Sequence, residues 1–151
     1  HKRQRESMLH QDWLMRQVED LGTCLAAVLS NKAASQYHEA RMELESASLR
    51  TLGLDVDVLV RLPLAQVIDF WTHSGELDAG RAALAASLLH EDALIQHLLG
   101  DDDAAGRRIR RATQLLTAAI TAEPSLAGPP FEALRLALGI PAPVVEDPAA
   151  T

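Results

Sequence analysis

Cysteine, aromatic side chains and long apolar runs are all scarce in this sequence. The single cysteine, Cys24, excludes an intrachain disulfide. Aromatic residues make up only 3% of the 151 residues, so the core has to be built mainly from Leu and Ala, which are strong helix formers. No apolar run approaches the roughly 18 residues that cross a bilayer. These shortages predict an all-helical, cytoplasmic protein that does not span a membrane.

Positive charge is also in the minority. The chain has 14 Lys and Arg against 21 Asp and Glu, which gives a net charge of -7. Such a chain repels polyanions on average, so nucleic acid and anionic membranes are disfavoured as partners unless a local basic patch reverses the charge. The length fits one domain, which we expect over residues 10–138, between an N-terminal tail over 1–9 and a Pro-rich tail over 139–151.

Helical periodicity dominates the first half of the chain. A first helix is predicted from Gln11 to Ser30, and a second over residues 35–51, where Gly53 stops it. Apolar residues occupy every second position in residues 54–60, as in a strand. A lone strand would have no partner, so a connector with a helical turn is predicted. Pro63 suits the first position of a third helix, which carries Trp71.

Three further helices are predicted in the second half. One begins at Leu77 and keeps its phase to Leu99, although the polar residues 90–92 mark a possible break. The next is capped by Asp101, Asp102 and Asp103. Its predicted inner face consists of Ile109, Ala112, Leu116, Ala119 and Ile120. A short helix over 130–138 closes an all-α fold of about six helices in antiparallel hairpins.

Two stretches carry a resemblance to known families. Residues 67–92 resemble a tetratricopeptide-type hairpin, with Trp71 followed by a turn at 75–77 and by Gly80 and Leu84, and residues 99–124 match half of a second copy. The opening Asp12-Trp13-Leu14-Met15-Arg16-Gln17-Val18-Glu19 resembles a family of small bacterial helical proteins of unknown function. These resemblances imply stacked helical hairpins that bind a protein or peptide, and they imply no catalytic residues.

A cluster of arginines is a candidate anion patch. It consists of Arg107, Arg108, Arg110 and Arg111. The spacing of Asp103 and Arg107 also permits an i,i+4 ion pair, and the acidic run lies one turn away, so a solvated, self-neutralised face is the competing interpretation.

Histidines and acidic residues provide the candidates for an alternative function. A polar pocket built from His73, His90, His97 and the acidic run 101–103 would suit a small enzyme or ligand-binding protein. His90 and His97 are too far apart on one helix to share a metal, and His97 with Asp101 is a possible i,i+4 pair. The sequence therefore predicts no metal or other cofactor and no catalytic residue.

The first helix is a candidate interface. Its apolar residues recur at alternating spacings of four and three for two heptads, as in a coiled-coil seam. The proposed interface consists of Trp13, Leu14, Val18, Leu21, Leu25 and Val28. The seam predicts either a homodimer or the docking of this helix within its own domain. Taken together, the sequence favours a non-enzymatic protein-protein interaction module.

Overall fold

The computed structural model describes residues 12, 13, 16, 17, 19, 20 and 34–144. The six described residues of the predicted first helix are helical, and Trp13 packs against the core. The remaining residues of the proposed interface, Leu14, Val18, Leu21, Leu25 and Val28, lie outside the described residues, as does Cys24.

Helices make up most of the described chain. They are α1 (Ala34–Leu52), α2 (Val56–Arg61), α3 (Leu64–Phe70), α4 (Ala79–Leu98), α5 (Asp102–Ala122) and α6 (Glu132–Ala137). An antiparallel hairpin of β1 (Thr72–His73) and β2 (Glu76–Leu77) joins α3 to α4, and a 3-10 turn at Pro124–Ala127 follows α5. The predicted all-α class is confirmed. None of the described helices is both long enough and apolar enough to cross a membrane.

Aspartate side chains cap the N-termini of three of these helices. Asp55 accepts a hydrogen bond from the Val58 amide at 2.8 Å, Asp78 from the Arg81 amide at 3.2 Å, and Asp101 from the Ala104 amide at 3.1 Å. Each carboxylate satisfies an amide that has no partner within the helix and favours the positive end of the helix dipole. The predicted capping role of the acidic run is thus confirmed for Asp101.

The core lies between α4, α5 and α1. The α4/α5 hairpin is the main packing unit, and α1 packs on α4. Small residues on α4 allow its neighbours to approach closely. The buried alanines of α4 are Ala79, Ala82, Ala83, Ala85, Ala86 and Ala93.

Residues 67–92, which the sequence predicts to be a helical hairpin, form the end of α3, the β-hairpin and most of α4. Helix α4 begins at Ala79 rather than at Leu77, because Leu77 pairs with Thr72 in the hairpin. Trp71 is 2% exposed, and its Nε1 donates a hydrogen bond to the Leu52 carbonyl at 3.0 Å. The indole therefore links the residue before the β-hairpin to the end of α1 by a hydrogen bond.

Two details of these helices differ from the prediction. Helix α4 continues through residues 90–92 without a break, because Arg41 and Arg108 neutralise Asp92. On α5, Ala112, Leu116, Ala119 and Ile120 are buried as predicted, but Ile109 is exposed and Arg108 is buried in its place. Arg108 takes the inner position because its charge partner is buried beside it.

The chain after α5 returns to the core. Phe131 and Ile140 are both buried. The Arg135 side chain donates hydrogen bonds to the carbonyls of Ala127 and Ile140, at 3.1 and 2.9 Å. The beginning of the predicted C-terminal tail, at Ile140, is therefore held against the domain.

Candidate anion-binding cleft

Six arginines converge on one surface cleft between α2 and α5. It consists of two adjoining depressions of about 340 and 170 Å³, which share Val60 and Arg107 in their linings. We call this surface the arginine cleft. Its arginines are Arg41, Arg61, Arg107, Arg108, Arg110 and Arg111.

A buried carboxylate organises the inner end of the cleft. Asp92 on α4 is 1% exposed, and its two oxygens accept hydrogen bonds from different helices. Arg41 Nε on α1 donates to Oδ1 at 3.1 Å, and Arg108 Nε on α5 donates to Oδ2 at 2.5 Å. Charge-assisted hydrogen bonds of this kind are strong and directional. Asp92 therefore fixes both guanidinium groups relative to the fold.

The two terminal nitrogens of Arg108 have different partners. Its Nη1 donates to the Ala104 carbonyl at 3.1 Å, whereas its Nη2 forms an ion pair with Asp57 Oδ1 at 3.7 Å, a distance too long for a hydrogen bond. Gln96 also lines the cleft. Its side chain is nearly buried, with 7% of the residue exposed, and the described residues provide no hydrogen-bond partner for its amide.

Exposed arginines surround the outer part of the cleft. Arg61, Arg107 and Arg110 are exposed, and none of them makes a hydrogen bond or ion pair with the described part of the chain. Arg111 is held more firmly, because its Nη1 donates to the Leu59 carbonyl at 2.8 Å and its Nε donates to Gln114 Oε1 at 3.1 Å. Partial burial lowers the pKa of Arg111, but a guanidinium remains cationic at neutral pH.

Acidic side chains only partly balance this charge. Asp57 and Asp101 line the cleft and are exposed, and Glu45 Oε1 lies 3.5 Å from Arg41 Nη2. Even with the buried Asp92, the carboxylates around the cleft are fewer than its six arginines. The cleft is therefore locally cationic on a chain whose net charge is -7.

The predicted arginine patch is divided by the structure. Arg107, Arg110 and Arg111 lie together in the outer depression, whereas Arg108 turns inward to Asp92. Among the described residues, no ion pair forms between Asp103 and Arg107, so the pair expected from their spacing is not made.

The alternative polar pocket is not assembled. His73 lies in the β-hairpin before α4, and His97 lies near the end of α4, so the 20-residue helix separates them by roughly 30 Å. His97 Nδ1 lies 2.6 Å from Asp102 Oδ1, whereas Asp101 caps α5. His90 is partly buried, and this burial lowers its pKa. Within the described ranges, no three His, Cys, Asp or Glu side chains are placed to hold a metal ion.

Sequence reasoning missed four residues of the cleft, namely Arg41, Arg61, Asp92 and Gln96. One signal was available for Asp92, which follows Leu84 and Leu88 at intervals of four residues on the apolar stripe of α4. A charged residue in such a stripe requires a buried partner of opposite charge.

Comparisons with protein-family models, with curated proteins and with solved structures gave no match to this chain.

Proposed function

We propose that the chain is a protein-protein interaction module without catalytic activity of its own, and that the arginine cleft receives an acidic segment of its partner. The observation that supports this proposal is the concentration of charge. Six of the 14 basic residues of the chain line one cleft, although acidic residues outnumber basic ones overall. A segment rich in Asp and Glu complements such a surface and is steered towards it.

The shape of the cleft suits a peptide better than a nucleic acid. The two depressions share Val60 and Arg107, and Val60 offers apolar contact between arginines. Asp57 and Asp101 on the same surface repel a regular phosphate backbone, and the negative net charge of the chain adds to this repulsion. A short peptide with acidic and apolar side chains carries fewer negative charges than a nucleic acid, so both repulsions are weaker.

A polar-pocket enzyme or ligand-binding protein is not favoured by the geometry, because His73 and His97 lie at opposite ends of α4. The proposal includes a cytoplasmic location and membership of the bacterial helical family that the opening residues resemble. It also includes a homodimer through the first helix. Light scattering that gives the mass of a monomer would contradict the dimer.

Binding of a fluorescent peptide tests the role of the cleft. The probe is a short peptide of Glu and Leu, and its matched control has Lys at every Glu position. We expect the full chain to bind the Glu peptide, with an affinity that falls as salt is raised. Anisotropy measurements should show no comparable binding of the Lys peptide.

Two variants locate the binding surface. R107Q combined with R110Q removes two exposed charges that have no partner in the described fold, so stability should not change and affinity should fall roughly tenfold. R50Q is the matched control, because Arg50 is exposed at the end of α1, away from the arginine cleft. Equal losses in the double variant and in R50Q would mean that binding reflects diffuse attraction and would refute this docking surface.

A further inference from the structure

We infer that the inner end of the arginine cleft, where Arg41, Arg108 and Gln96 meet, is a phosphate site that recognises a phosphorylated serine or threonine in the partner segment. This inference rests on the proposed function of the cleft and adds the group that anchors the partner. It depends on the placement of hydrogen-bond donors rather than on charge alone.

The cationic part of this site is preorganised. The two carboxylate oxygens of Asp92 accept hydrogen bonds from Arg41 and Arg108, one each. The Ala104 carbonyl accepts another from a second nitrogen of Arg108. An arginine held in this way loses little side-chain entropy when an anion binds. The Nη2 of Arg108 is ion-paired with the exposed Asp57 at 3.7 Å but makes no hydrogen bond to the described residues. It is the donor that an incoming oxyanion would meet.

Gln96 provides the observation that is independent of charge. Its side chain lines the cleft, 7% of the residue is exposed, and its amide has no hydrogen-bond partner among the described residues. The amide atoms of Gln96 are not fully buried, so they contact solvent at the cleft. A ligand oxygen within reach of Nε2 can replace that solvent as the acceptor, so Gln96 favours an oxygen-rich ligand at this end of the cleft.

The directions of the donors favour a phosphate over a carboxylate. A carboxylate lies in one plane, and a single arginine can satisfy both of its oxygens. Here the donors come from three helices, with Arg41 on α1, Gln96 on α4 and Arg108 on α5. A phosphate monoester has three terminal oxygens and a charge near -2, so it can accept from all three directions. The depression of about 340 Å³ has room for this group together with the side chain that carries it.

The outer residues of the same depression support a peptide as the source of the phosphate. Arg61 and Arg107 lie nearer to solvent, where they can contact acidic side chains beside the phosphorylated residue. Recognition of phosphorylated segments by clustered arginines is a general binding mode. The carboxylates of Asp57 and Asp101 lie on the same lining and disfavour a ligand that brings many phosphates.

The test compares three peptides of otherwise identical acidic sequence, with phosphoserine, serine or glutamate at the central position. Anisotropy with the full chain should show the phosphoserine peptide binding at least roughly tenfold more tightly than either of the others. Inorganic phosphate should compete weakly for the same site. Equal binding of all three peptides would overturn the phosphate site and leave the acidic-peptide function intact, whereas no binding by any of them would refute both.

Two further ligands distinguish other sources of phosphate. Inorganic phosphate that binds as tightly as the phosphopeptide would indicate a site for a small phosphate compound and would overturn the peptide assignment. An oligothymidylate that competes as well as the phosphopeptide would indicate nucleic acid and would overturn it too.

The decisive variant is Q96L, which removes the amide without changing the charge of the cleft. It should abolish the preference for phosphoserine and leave the affinity for the serine peptide unchanged. Q66L is the matched control, since Gln66 is exposed on α3, and it should change neither affinity. An unchanged phosphoserine preference in Q96L would contradict the site. R61Q gives a second measurement that does not disturb the buried pair of Asp92 and Arg108. It should weaken the binding of all three peptides.

Discussion

Asp92 and Arg108 are 16 residues apart, and their side chains join the two helices of the α4/α5 hairpin through a hydrogen bond of 2.5 Å. Both residues are buried. The same pair therefore contributes to the core and holds Arg108 at the inner end of the arginine cleft. Any change to it affects stability as well as the proposed binding surface.

Removal of one member of this pair should destabilise the fold. R108M leaves the buried Asp92 with Arg41 as its only charge partner among the described residues, and we expect the free energy of unfolding to fall by about 3 kcal/mol. Urea denaturation measures this loss. The double variant D92L/R108M removes both charges and should recover much of the stability. If it is no more stable than R108M, the cost arises from lost packing rather than from an unpaired charge.

The hydrogen bond of Trp71 should also be measurable. W71F removes the donor to the Leu52 carbonyl and part of a buried ring. We expect a loss of about 2–4 kcal/mol, since an unpaired buried carbonyl and a cavity both contribute. Thermal or urea unfolding measures the effect. L136A is the control, because Leu136 is exposed on α6 and should change stability by less than about 0.5 kcal/mol. Similar losses in both variants would contradict the special role of the indole.

Local sequence patterns were sufficient to predict much of the fold. Gly53 correctly marked the end of α1, and Asp101 correctly marked the cap of α5. These signals act over one or two helical turns, because a cap or a positive φ depends on neighbouring backbone atoms. The β-hairpin between α3 and α4 was missed, since its strands are only two residues long and have no detectable alternation.

The cleft could not be predicted from the same signals. Arg41 and Asp92 are 51 residues apart, and a helical period specifies a face without naming the helix that packs on it. The sequence identified the arginines of α5 as a candidate anion patch, but the inward turn of Arg108 depends on Asp92. The sequence also predicted that Ile109 is buried, because an isoleucine is normally preferred to an arginine at a buried position.

Stability should decline as pH rises through the titration of Glu91. Burial raises the pKa of Glu91 from 4.5 to about 7, and its Oε2 is buried without a hydrogen-bond partner in the described part of the chain. The folded state thus holds the proton more tightly than the unfolded chain does. The resulting stabilisation is fully present below about pH 4.5 and is lost as pH rises to about 7. E91Q, which does not titrate, should exceed the parent protein in stability by on the order of 1–3 kcal/mol at about pH 8.

Urea denaturation at about pH 5 and about pH 8 checks this slope. The E91Q advantage should be much smaller at the lower pH. H90Q is the control, because the pH dependence that His90 contributes to stability has the opposite sign. Burial lowers the pKa of His90, so the stability that the neutral imidazole contributes is lost as pH falls below about 6.5. An E91Q advantage of the same size at both pH values would exclude titration of Glu91 as its cause.

Alanine at Gly53 should destabilise the protein. Gly53 has a φ of +75°, and a Cβ built there would lie 3.3 Å from Phe70 Cε1. The left-handed backbone alone costs a residue with a Cβ about 1–2 kcal/mol, and the ring has to move as well. We expect G53A to lower the free energy of unfolding by at least about 1 kcal/mol in urea denaturation.

The same substitution at Gly106 should have the opposite sign. Gly106 lies inside α5, and a Cβ there would meet nothing within 4 Å. Alanine is favoured over glycine in a helix interior by about 0.5–1 kcal/mol, so G106A should stabilise the protein by about that amount. Gly106 is exposed and close in sequence to Arg107 and Arg110, and a methyl group adds no charge, so G106A should leave binding of the acidic peptide unchanged. If G53A and G106A changed stability in the same direction, backbone conformation would not be the property that distinguishes the two glycines.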